Sequence, residues 1–430
     1  MIKVMEYGKV PENRIFERST SSRDVSDVVS AILADVRERG DQALRDYTLK
    51  FDGAAIDAIE VPKSEIKSAA EAMDEAFMDV LRKAADNIRD YHSRQKRESF
   101  VVSEKDGVVL GQKIVPVSVA GIYVPGGTAA YPSTVLMDTI PAKIAGVDQV
   151  VMVTPPGSDG KISQAVLSAA YVAGVDRIFR IGGAQAIAAL AYGTETVPKA
   201  DKIVGPGNIF VAEAKKEVSG IVGIDMIAGP SEILIIADDK SNPKVLAADM
   251  LSQAEHDRNA SAVLITDSIT LADAVADELE IQLNSLPREG IARASIESNG
   301  KIIIASSIDQ AIEISDRIAP EHLEVCVDSP FDYLDKIRNA GSVFLGRNCP
   351  EALGDYLAGP NHTLPTSGTA RFSSPLSVDD FIKKYQFTYY TKKALENVAD
   401  DIALFARREG LEAHARSALA RKTYEKEEAK

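Results

Sequence analysis

The feature of this sequence that most constrains its fold is a repeated alternation of short apolar runs with helix-like segments. After Val101 the chain passes through VVMVT, KIVG, EILIIAD, AVLITD and KIIIAS, with segments of helical apolar spacing between such runs. This alternation is typical of βα units built around a mostly parallel sheet. We therefore predict an α/β protein with two parallel-sheet domains, each a three-layer αβα arrangement.

The two ends of the chain have a different, helical pattern. From Val25 to Arg97 apolar residues recur at three- and four-residue spacing, and the charged stretch after Ser374 does the same without a sheet segment of its own. We predict an N-terminal arm (1–24), a larger domain formed by 25–118 and 237–373, an inserted domain (119–236) and a C-terminal helical tail (374–430). Such a charged tail must pack on another surface.

Composition excludes several classes of function. The 430 residues include 64 acidic and 49 basic side chains, and the net charge of −15 opposes general attraction to nucleic acid or to an anionic membrane. The uncharged run from Ile114 to Met137 is interrupted by prolines and glycines, and the N-terminus lacks the pattern of a signal peptide. Only two cysteines occur, Cys326 and Cys349, without a CxxC pair. We expect a cytoplasmic protein that acts on small molecules.

Four of the five histidines lie in segments that could support chemistry. In LSQAEHDRNA, Gln253 and His256 are three residues apart in a helical pattern, so both could face one ligand. An isolated pair of this kind is more often an ordinary polar pair at a helix end, because glutamine is an uncommon zinc ligand.

The segment SDRIAPEHLEV places Glu321 and His322 directly after Pro320. A proline suits the first turn of a helix, where the helix dipole favours an ionised carboxylate and a neutral imidazole. Such a pair could accept protons. The equally weighted alternative is a proline-initiated helix with ordinary first-turn acids.

Two further segments carry the remaining candidates. Asp355 and His362 lie in a stretch rich in glycine and proline, typical of a functional loop, although a solvated turn is the alternative. Glu409 and His414 are five residues apart in the helical tail, where a solvated face is the usual interpretation. His92, surrounded by charged residues, is interpreted as a surface histidine without a role.

Signals for nucleotide binding are incomplete. The chain has no full GxGxxG with a following acid and no GxxxxGK[ST] loop, and GPGNIF (205–210) is a partial match. However, GIYVPGGTAAYPSTVLM is typical of a strand, a glycine turn and a helix opened by Pro132 and Ser133, which would direct backbone amides at an anionic or dinucleotide ligand. IGGAQAIAAL repeats this order. Taken singly, each turn is more often a plain connection.

Taken together, these segments resemble the histidinol dehydrogenase family, in order and over nearly the whole chain. The matching stretches are VRERGDQALRDYTLKFDG, GIYVPGGTAAYPSTVLM, GGAQAIAALAYGT, VGPGNIFVAEAKK, IAGPSEILIIAD, DMLSQAEHD, RIAPEHLE, GDYLAGPNHTLPTSGTARFSSPLSVDDF and EGLEAH. The resemblance implies two incomplete Rossmann-like domains and a homodimer with shared active sites.

The resemblance also implies a set of site residues. The implied zinc ligands are Gln253, His256, Asp355 and His414, the last from the partner subunit. The implied proton acceptors are Glu321 and His322, and the implied NAD contacts are Tyr123, Gln185 and Asn208. The implied substrate contacts are Ser231, His362 and Glu409, together with His322 and the four zinc ligands, Gln253, His256, Asp355 and His414.

The implied reaction is the oxidation of L-histidinol through L-histidinal to L-histidine, with two NAD molecules reduced in sequence. Zinc would hold substrate nitrogens, His322 would take the hydroxyl proton, and Glu321 would activate water. Three alternatives remain: a relative that oxidises another small alcohol such as a sulfonated diol, a zinc hydrolase with Glu321 as base, and a catalytically silent metal-binding protein. Retention of His362 and Glu409 favours the histidinol form.

Overall fold

The computed structural model of the chain describes residues 2–18, 24–126 and 130–423. The chain forms two compact units, Met1–Gln95 with Val117–Phe381, and Lys96–Pro116 with Ile382–Lys430. None of the helices within the described ranges is long and apolar enough to cross a membrane.

The strands, in chain order, are β1 Lys3–Glu6, β2 Phe100–Val102, β3 Val108–Pro116, β4 Val119–Tyr123, β5 Gln149–Val153, β6 Arg177–Phe179, β7 Lys202–Val204, β8 Gly223–Ile224, β9 Glu232–Ala237, β10 Ser261–Thr266, β11 Lys301–Ile304, β12 His322–Cys326, β13 Ser342–Leu345 and β14 Ile382–Tyr390.

The helices, in chain order, are α1 Glu12–Phe16, α2 Ser26–Arg39, α3 Asp41–Asp52, α4 Lys63–Ala72, α5 Glu75–Ser93, α6 Pro132–Ala145, α7 Gln164–Ala173, α8 Gly183–Tyr192, α9 Ile209–Val218, α10 Pro243–Ala254, α11 Ile269–Leu283, α12 Glu289–Asn299, α13 Ile308–Ile318, α14 Phe331–Leu334, α15 Glu351–Tyr356, α16 Lys392–Glu396, α17 Ala399–Arg408 and α18 Glu412–Thr423. Short 3₁₀ turns occur at Thr369–Arg371 and Val378–Phe381.

The first unit contains two parallel sheets. The six-stranded sheet has the order β1-β11-β10-β9-β12-β13, and the five-stranded sheet has the order β6-β5-β4-β7-β8. In each sheet the strand order reverses once, between β9 and β12 in the first and between β4 and β7 in the second. In parallel sheets of this kind, ligands bind in the crevice outside the carboxyl ends of the strands at such a reversal.

Apolar side chains cover both faces of each sheet. The five-stranded sheet packs against α2, α8 and α9 on one face and against α4 to α7 on the other. The six-stranded sheet packs against α10, α11 and α12 on one face and against α13 on the other. Strands buried on both faces require the nearly continuous apolar runs seen in the sequence. The predicted α/β class and three-layer arrangement are therefore confirmed.

The second unit contains a three-stranded antiparallel sheet, in the order β14-β3-β2, and the helices α16 to α18. β14 pairs with β3 from Ile382 opposite Pro116 to Tyr390 opposite Val108. The expectation that the tail contains no strand was therefore wrong for Ile382–Tyr390. This segment, IKKYQFTYY, is rich in aromatic and β-branched residues, which favour a strand.

Other parts of the prediction agree with the structure to different degrees. The helical region after Val25 is confirmed as α2 to α5. The N-terminal arm also supplies β1, a sheet-edge strand that the sequence pattern did not reveal. β9 lies mostly within the segment 119–236 but pairs in the six-stranded sheet. The division of the chain into a larger and an inserted domain stays a prediction.

Candidate active site

Two acidic residues and a histidine meet at the amino ends of β9 and β12. Glu232 and His322 are the first residues of these neighbouring strands, and Glu321 immediately precedes His322. The expectation of a helix after Pro320 was wrong. Ala319 has a left-handed backbone (φ 53°) that ends α13, and HLEVC continues as a fully buried strand. Pro320 therefore follows a helix instead of starting one.

The backbone of Glu232 binds both neighbouring side chains. Its N–H donates to Glu321 Oε2 at 2.7 Å, and its carbonyl oxygen lies 3.0 Å from His322 Nδ1. Because a carbonyl only accepts, Nδ1 must carry the proton. His322 Nε2 is then the basic nitrogen of the neutral ring, and among the described residues it has no hydrogen-bond partner.

Burial controls the protonation of Glu321. Loss of solvent raises the pKa of this carboxyl well above its usual value, and the hydrogen bond from the Glu232 N–H opposes that shift. The charges of Glu232 and Asp355 raise the pKa further. Raising the pKa makes the carboxylate a stronger base, which suits it to accept a proton.

The short helix α15 supplies two carboxylates on one face. Glu351 and Asp355 are four residues apart, so their side chains are neighbours. His322 Nε2 lies 4.0 Å from Glu351 Oε1 and 3.9 Å from Asp355 Oδ1. One ligand atom from each of these three residues lies within 4.8 Å of the other two. This spacing is compatible with a shared metal ion.

His362 extends the cluster. Its Nδ1 lies 3.6 Å from Asp355 Oδ1, and its Nε2 lies 3.3 Å from Thr134 Oγ1. Burial lowers the pKa of His362, but the Asp355 carboxylate outweighs burial and the net shift is upward. Burial raises the pKa of Asp355, but the adjacent His362 holds it below its usual range. The loop between Asp355 and His362 thus brings two predicted site residues together.

Gln253 and His256 lie at the end of α10. Gln253 is in the last helical turn and 2% exposed, whereas His256 lies in the following turn, beyond the helix. Charge interactions of Asp355 and His322 reach His256, whose pKa is lowered mainly by burial. Ser252 Oγ donates to Glu351 Oε2 at 3.0 Å, so the end of α10 lies against α15.

The residues of this cluster fit a metal ion. Gln253 Oε1 is buried and lacks a hydrogen-bond partner within the described ranges. An unsatisfied buried oxygen costs about 1–3 kcal/mol, which a bound cation would remove. The donors of His322, Glu351 and Asp355 are likewise nitrogen and oxygen atoms, a set compatible with zinc and with other divalent metals.

The two candidates from the tail lie in the second unit. Glu409 follows α17 directly, and His414 lies in α18. Their predicted role in a shared site stays a prediction. Ser231, the remaining predicted substrate contact, lies just before β9, and its carbonyl accepts the Ser261 N–H at 3.0 Å.

The predicted nucleotide contacts follow strands of the five-stranded sheet. Tyr123 ends β4, Asn208 follows β7, and Gln185 lies in the first turn of α8 after β6. The Gly183 N–H donates to the Tyr123 hydroxyl at 3.1 Å, and Gln185 Oε1 is buried without a partner among the residues described. Tyr123 and Asn208 flank the β4/β7 reversal, the expected position of a nucleotide.

The turn at Gly205 is fixed by a buried ion pair. Gly205 has φ 113°, and an added Cβ would lie 2.1 Å from the Tyr123 carbonyl oxygen. Asp225 accepts the Gly205 N–H at 2.8 Å, and Lys215 bonds both Asp225 and the Gly205 carbonyl. Asn208 accepts from two amides of α9, so it caps that helix as well.

In the other glycine turn, α6 begins at Pro132 as predicted, but residues 127–129 lie outside the described residues.

Sequence reasoning misjudged or missed several positions. His92 is buried in α5, with Nδ1 2.7 Å from Gln95 Oε1, so its interpretation as a surface residue was wrong. The residues around it are polar, but its own position falls on the apolar stripe of the helix. Glu232 and Glu351 were missed. Only the four-residue spacing of Glu351 from Asp355 could have indicated one of them.

Comparisons with known proteins agree on one family. The histidinol dehydrogenase family model matches residues 16–422. Histidinol dehydrogenase of Clostridium acetobutylicum is 51% identical over 98% of this chain and 99% of its own length, and that of Bacillus cereus is 55% identical over 97% and 96%. The crystal structure of histidinol dehydrogenase from Elizabethkingia anophelis superposes with a TM-score of 0.92 at 39% identity, covering 98% of both chains.

Proposed function

The chain belongs to the histidinol dehydrogenase family of oxidoreductases, and from this premise we propose that it oxidises L-histidinol through L-histidinal to L-histidine. The observation that carries the proposal is the pairing of two proton acceptors, Glu321 and His322, on the backbone of Glu232, with Asp355, a predicted zinc ligand, 3.9 Å from His322 Nε2. The two oxidations need a base for the hydroxyl proton and a base that activates water.

We propose that Gln253, His256 and Asp355, with His414 of a second subunit, hold zinc. The unpartnered Gln253 oxygen supports this assignment. Bound zinc would hold the amine and imidazole nitrogens of the substrate and so fix its orientation. Ser231, His362 and Glu409 would contact the substrate. The acceptor of the hydride would be NAD, held near Tyr123, Gln185 and Asn208.

His322 acts in the first oxidation. Its Nδ1–H is engaged by the Glu232 carbonyl, so Nε2 is the nitrogen that can take the proton of the substrate hydroxyl. As the O–H electrons form the carbonyl bond, the carbon would release a hydride, which bound NAD would accept. L-Histidinal and a protonated His322 result, and the proton then passes to solvent.

Glu321 acts in the second oxidation. Its carboxylate takes a proton from a water molecule as the water oxygen attacks the aldehyde carbon, which gives the anion of the hydrated aldehyde. The Glu321 carboxylic acid then returns this proton to the former carbonyl oxygen, and the neutral hydrate results. His322 then takes a hydroxyl proton of the hydrate, and the carbon would release a second hydride, for which another NAD would be the acceptor, so that the carboxylic acid forms. The hydrogen bond from the Glu232 N–H to Oε2 fixes the orientation of this carboxylate.

We also propose a cytoplasmic homodimer. The second unit exposes large apolar side chains, among them Leu404 (60% exposed) and Phe405 (69%) on α17, which a partner subunit would cover. Both cysteines are free thiols, as in a reducing compartment. Mixing inactive His256→Ala and His414→Ala variants under subunit exchange should restore part of the activity. Absence of any rescue would contradict a site shared between subunits.

The experiment that tests the proposed function supplies zinc-loaded protein with L-histidinol and NAD and follows absorbance of NADH. NADH formation with L-histidine as the product supports the proposal. No NADH formation from zinc-loaded protein would overturn it. Replacing L-histidinol with another small alcohol, such as a sulfonated diol, tests the alternative within the family. A zinc hydrolase would convert its substrate in the absence of NAD.

A further inference from the structure

We propose that Arg18 is a positioning residue for the two proton acceptors, Glu321 and His322, an inference that rests on the proposed function of this pair. Arg18 belongs to the N-terminal arm and is far from both residues in sequence. Its Nη1 donates to Glu232 Oε1 at 2.6 Å. Its Nη2 donates to the carbonyls of Ile318 and Ala319, the latter at 3.3 Å.

These contacts join the two segments that build the catalytic pair. Glu232 begins β9, and its backbone binds both Glu321 and His322. Ile318 and Ala319 end α13, directly before Pro320 and the catalytic pair. A single planar guanidinium therefore ties the residue that orients both acceptors to the segment that carries them. A lysine could not make this set of contacts, because its ammonium group is compact and lacks the planar array of N–H donors of a guanidinium.

Charge and packing support the same role. The side chain of Glu232 is 13% exposed and that of Arg18 is 26% exposed, so their ion pair is largely removed from solvent. The charge of Glu232 raises the pKa of Glu321, and Arg18 opposes the rise that burial causes in the pKa of Glu232. A Cβ at Gly368 would lie 3.4 Å from Arg18 Cζ, so the guanidinium also packs on the loop that follows His362.

A second arginine provides a matched control. Arg317 Nη2 donates to Glu12 Oε2 at 2.7 Å and its guanidinium lies 3.9 Å from the ring centroid of Phe16. It therefore ties the same arm to α13 without contacting Glu232. If Arg18 served only to attach the arm, Arg317→Ala and Arg18→Ala would have similar effects.

Chemical rescue distinguishes positioning from general stability. A cavity of about 730 Å³ is lined by Arg18, Glu232, Ser367 and Lys301, among others. Removal of the Arg18 side chain would leave the Glu232 carboxylate accessible from this cavity. Guanidinium ion, added well below denaturing concentrations, could then occupy the position of the missing group.

The experiment measures steady-state kinetics and zinc content of Arg18→Ala, Arg18→Lys and Arg317→Ala. We expect Arg18→Ala to lose about 100-fold in kcat, as expected for misplaced catalytic groups, with zinc content and the KM for NAD unchanged. Guanidinium should raise kcat of Arg18→Ala but not that of Arg317→Ala, and Arg18→Lys should be intermediate. An unchanged kcat for Arg18→Ala, or a loss that guanidinium never relieves, would overturn the inference.

A spectroscopic measurement separates this inference from the proposed function. In protein labelled with ¹⁵N-histidine, the Nδ1–H signal of His322, assigned by its loss in His322→Gln, reports the bond to Glu232 without any turnover. We expect Arg18→Ala to shift this signal and guanidinium to restore it. An unchanged signal would contradict the role of Arg18 even if the wild-type protein oxidises L-histidinol. A shifted signal supports the role of Arg18 even if the wild-type protein does not oxidise L-histidinol.

Discussion

His322 donates its Nδ1–H to the backbone carbonyl of Glu232 at 3.0 Å. This bond leaves Nε2 as the only ring nitrogen able to accept a proton. Nε2 also lies near Glu351 and Asp355, so the ring could act either as a base or as a metal ligand. The proposed function assigns it the role of base.

A His322→Gln variant tests that assignment. We predict that it keeps its zinc but loses about 10²- to 10⁴-fold in kcat, the usual contribution of general acid–base catalysis. Zinc content by elemental analysis and kcat for L-histidinol measure the two effects. His92→Gln is the matched control, because His92 is equally buried but lies in α5, and it should keep its kcat per folded molecule. Loss of zinc from His322→Gln would show that His322 is a metal ligand and would contradict its assignment as the base.

Gln253 gives a prediction in which stability and metal binding change in opposite directions. Its Oε1 is buried and lacks a partner among the described residues, so Gln253→Leu removes an unsatisfied oxygen. We predict a metal-free variant at least as stable as the metal-free wild type, together with strongly weakened zinc binding. Urea denaturation and titration with zinc measure these effects. Zinc affinity equal to that of the wild type would exclude Gln253 as a ligand.

Glu324 gives a prediction for the pH dependence of stability. Burial and the neighbouring Asp249 raise its pKa from 4.5 to about 9, and its Oε1 accepts the Glu351 N–H at 2.7 Å. Between pH 4.5 and 9 the folded state therefore keeps a proton that the unfolded state loses. The free energy of unfolding must fall as pH rises through this window, by at most ~1.4 kcal/mol per pH unit.

Glu324→Gln mimics the protonated side chain and cannot ionise. We predict that its stability relative to the wild type increases steadily from pH 4.5 to 9. Urea denaturation at several pH values measures the difference. A difference that stays constant with pH would show that Glu324 titrates normally in the folded protein.

The buried pair Lys215 and Asp225 connects stability to the proposed nucleotide site. The side chains are 2% and 1% exposed, and both bond the backbone of Gly205. Lys215→Met leaves a buried carboxylate unpaired, so we predict a loss of about 3–5 kcal/mol in unfolding free energy. We also predict a raised KM for NAD with little change in the KM for L-histidinol.

The neighbouring Lys216 is the control for this prediction. It pairs with Glu213 on the surface, where its side chain is 60% exposed. Lys216→Met should change stability by less than about 1 kcal/mol. Equal effects of the two substitutions, or an unchanged KM for NAD in Lys215→Met, would contradict the proposed role of the turn at Gly205.

The apolar periodicity of the sequence predicted most of the strands and helices of the first unit. Apolar runs such as EILIIA, in the six-stranded sheet, and VVMV, in the five-stranded sheet, are typical of strands buried on both faces, and the prediction of two parallel sheets followed from such runs. β14 was missed because its charged surroundings resemble the helical tail. The strand at His322 was missed because Pro320 is compatible both with the start of a helix and with the end of the preceding one.

The site was less predictable where side chains are held by backbone groups or by residues distant in sequence. Asp355 lies in α15, so the expectation of a loop was wrong for it, whereas His362 lies in the loop that follows. The short separation of the two residues in sequence made their contact accessible to sequence reasoning. The bonds from Glu232 to Glu321 and His322 depend on its main-chain N–H and carbonyl, which every residue type except proline would provide. Arg18 meets Glu232 across 214 residues of sequence, so only the folded chain reveals the contact.

The measurement that tests the account most directly counts NADH formed per L-histidinol consumed, for the wild type and for Glu321→Gln. The wild type should form two NADH and L-histidine. Glu321→Gln should complete the first oxidation but lose most of the second, because the hydrogen bond from Glu232 would then orient an amide instead of a base. One NADH per substrate from the wild type, or two formed at an undiminished rate by Glu321→Gln, would contradict the account.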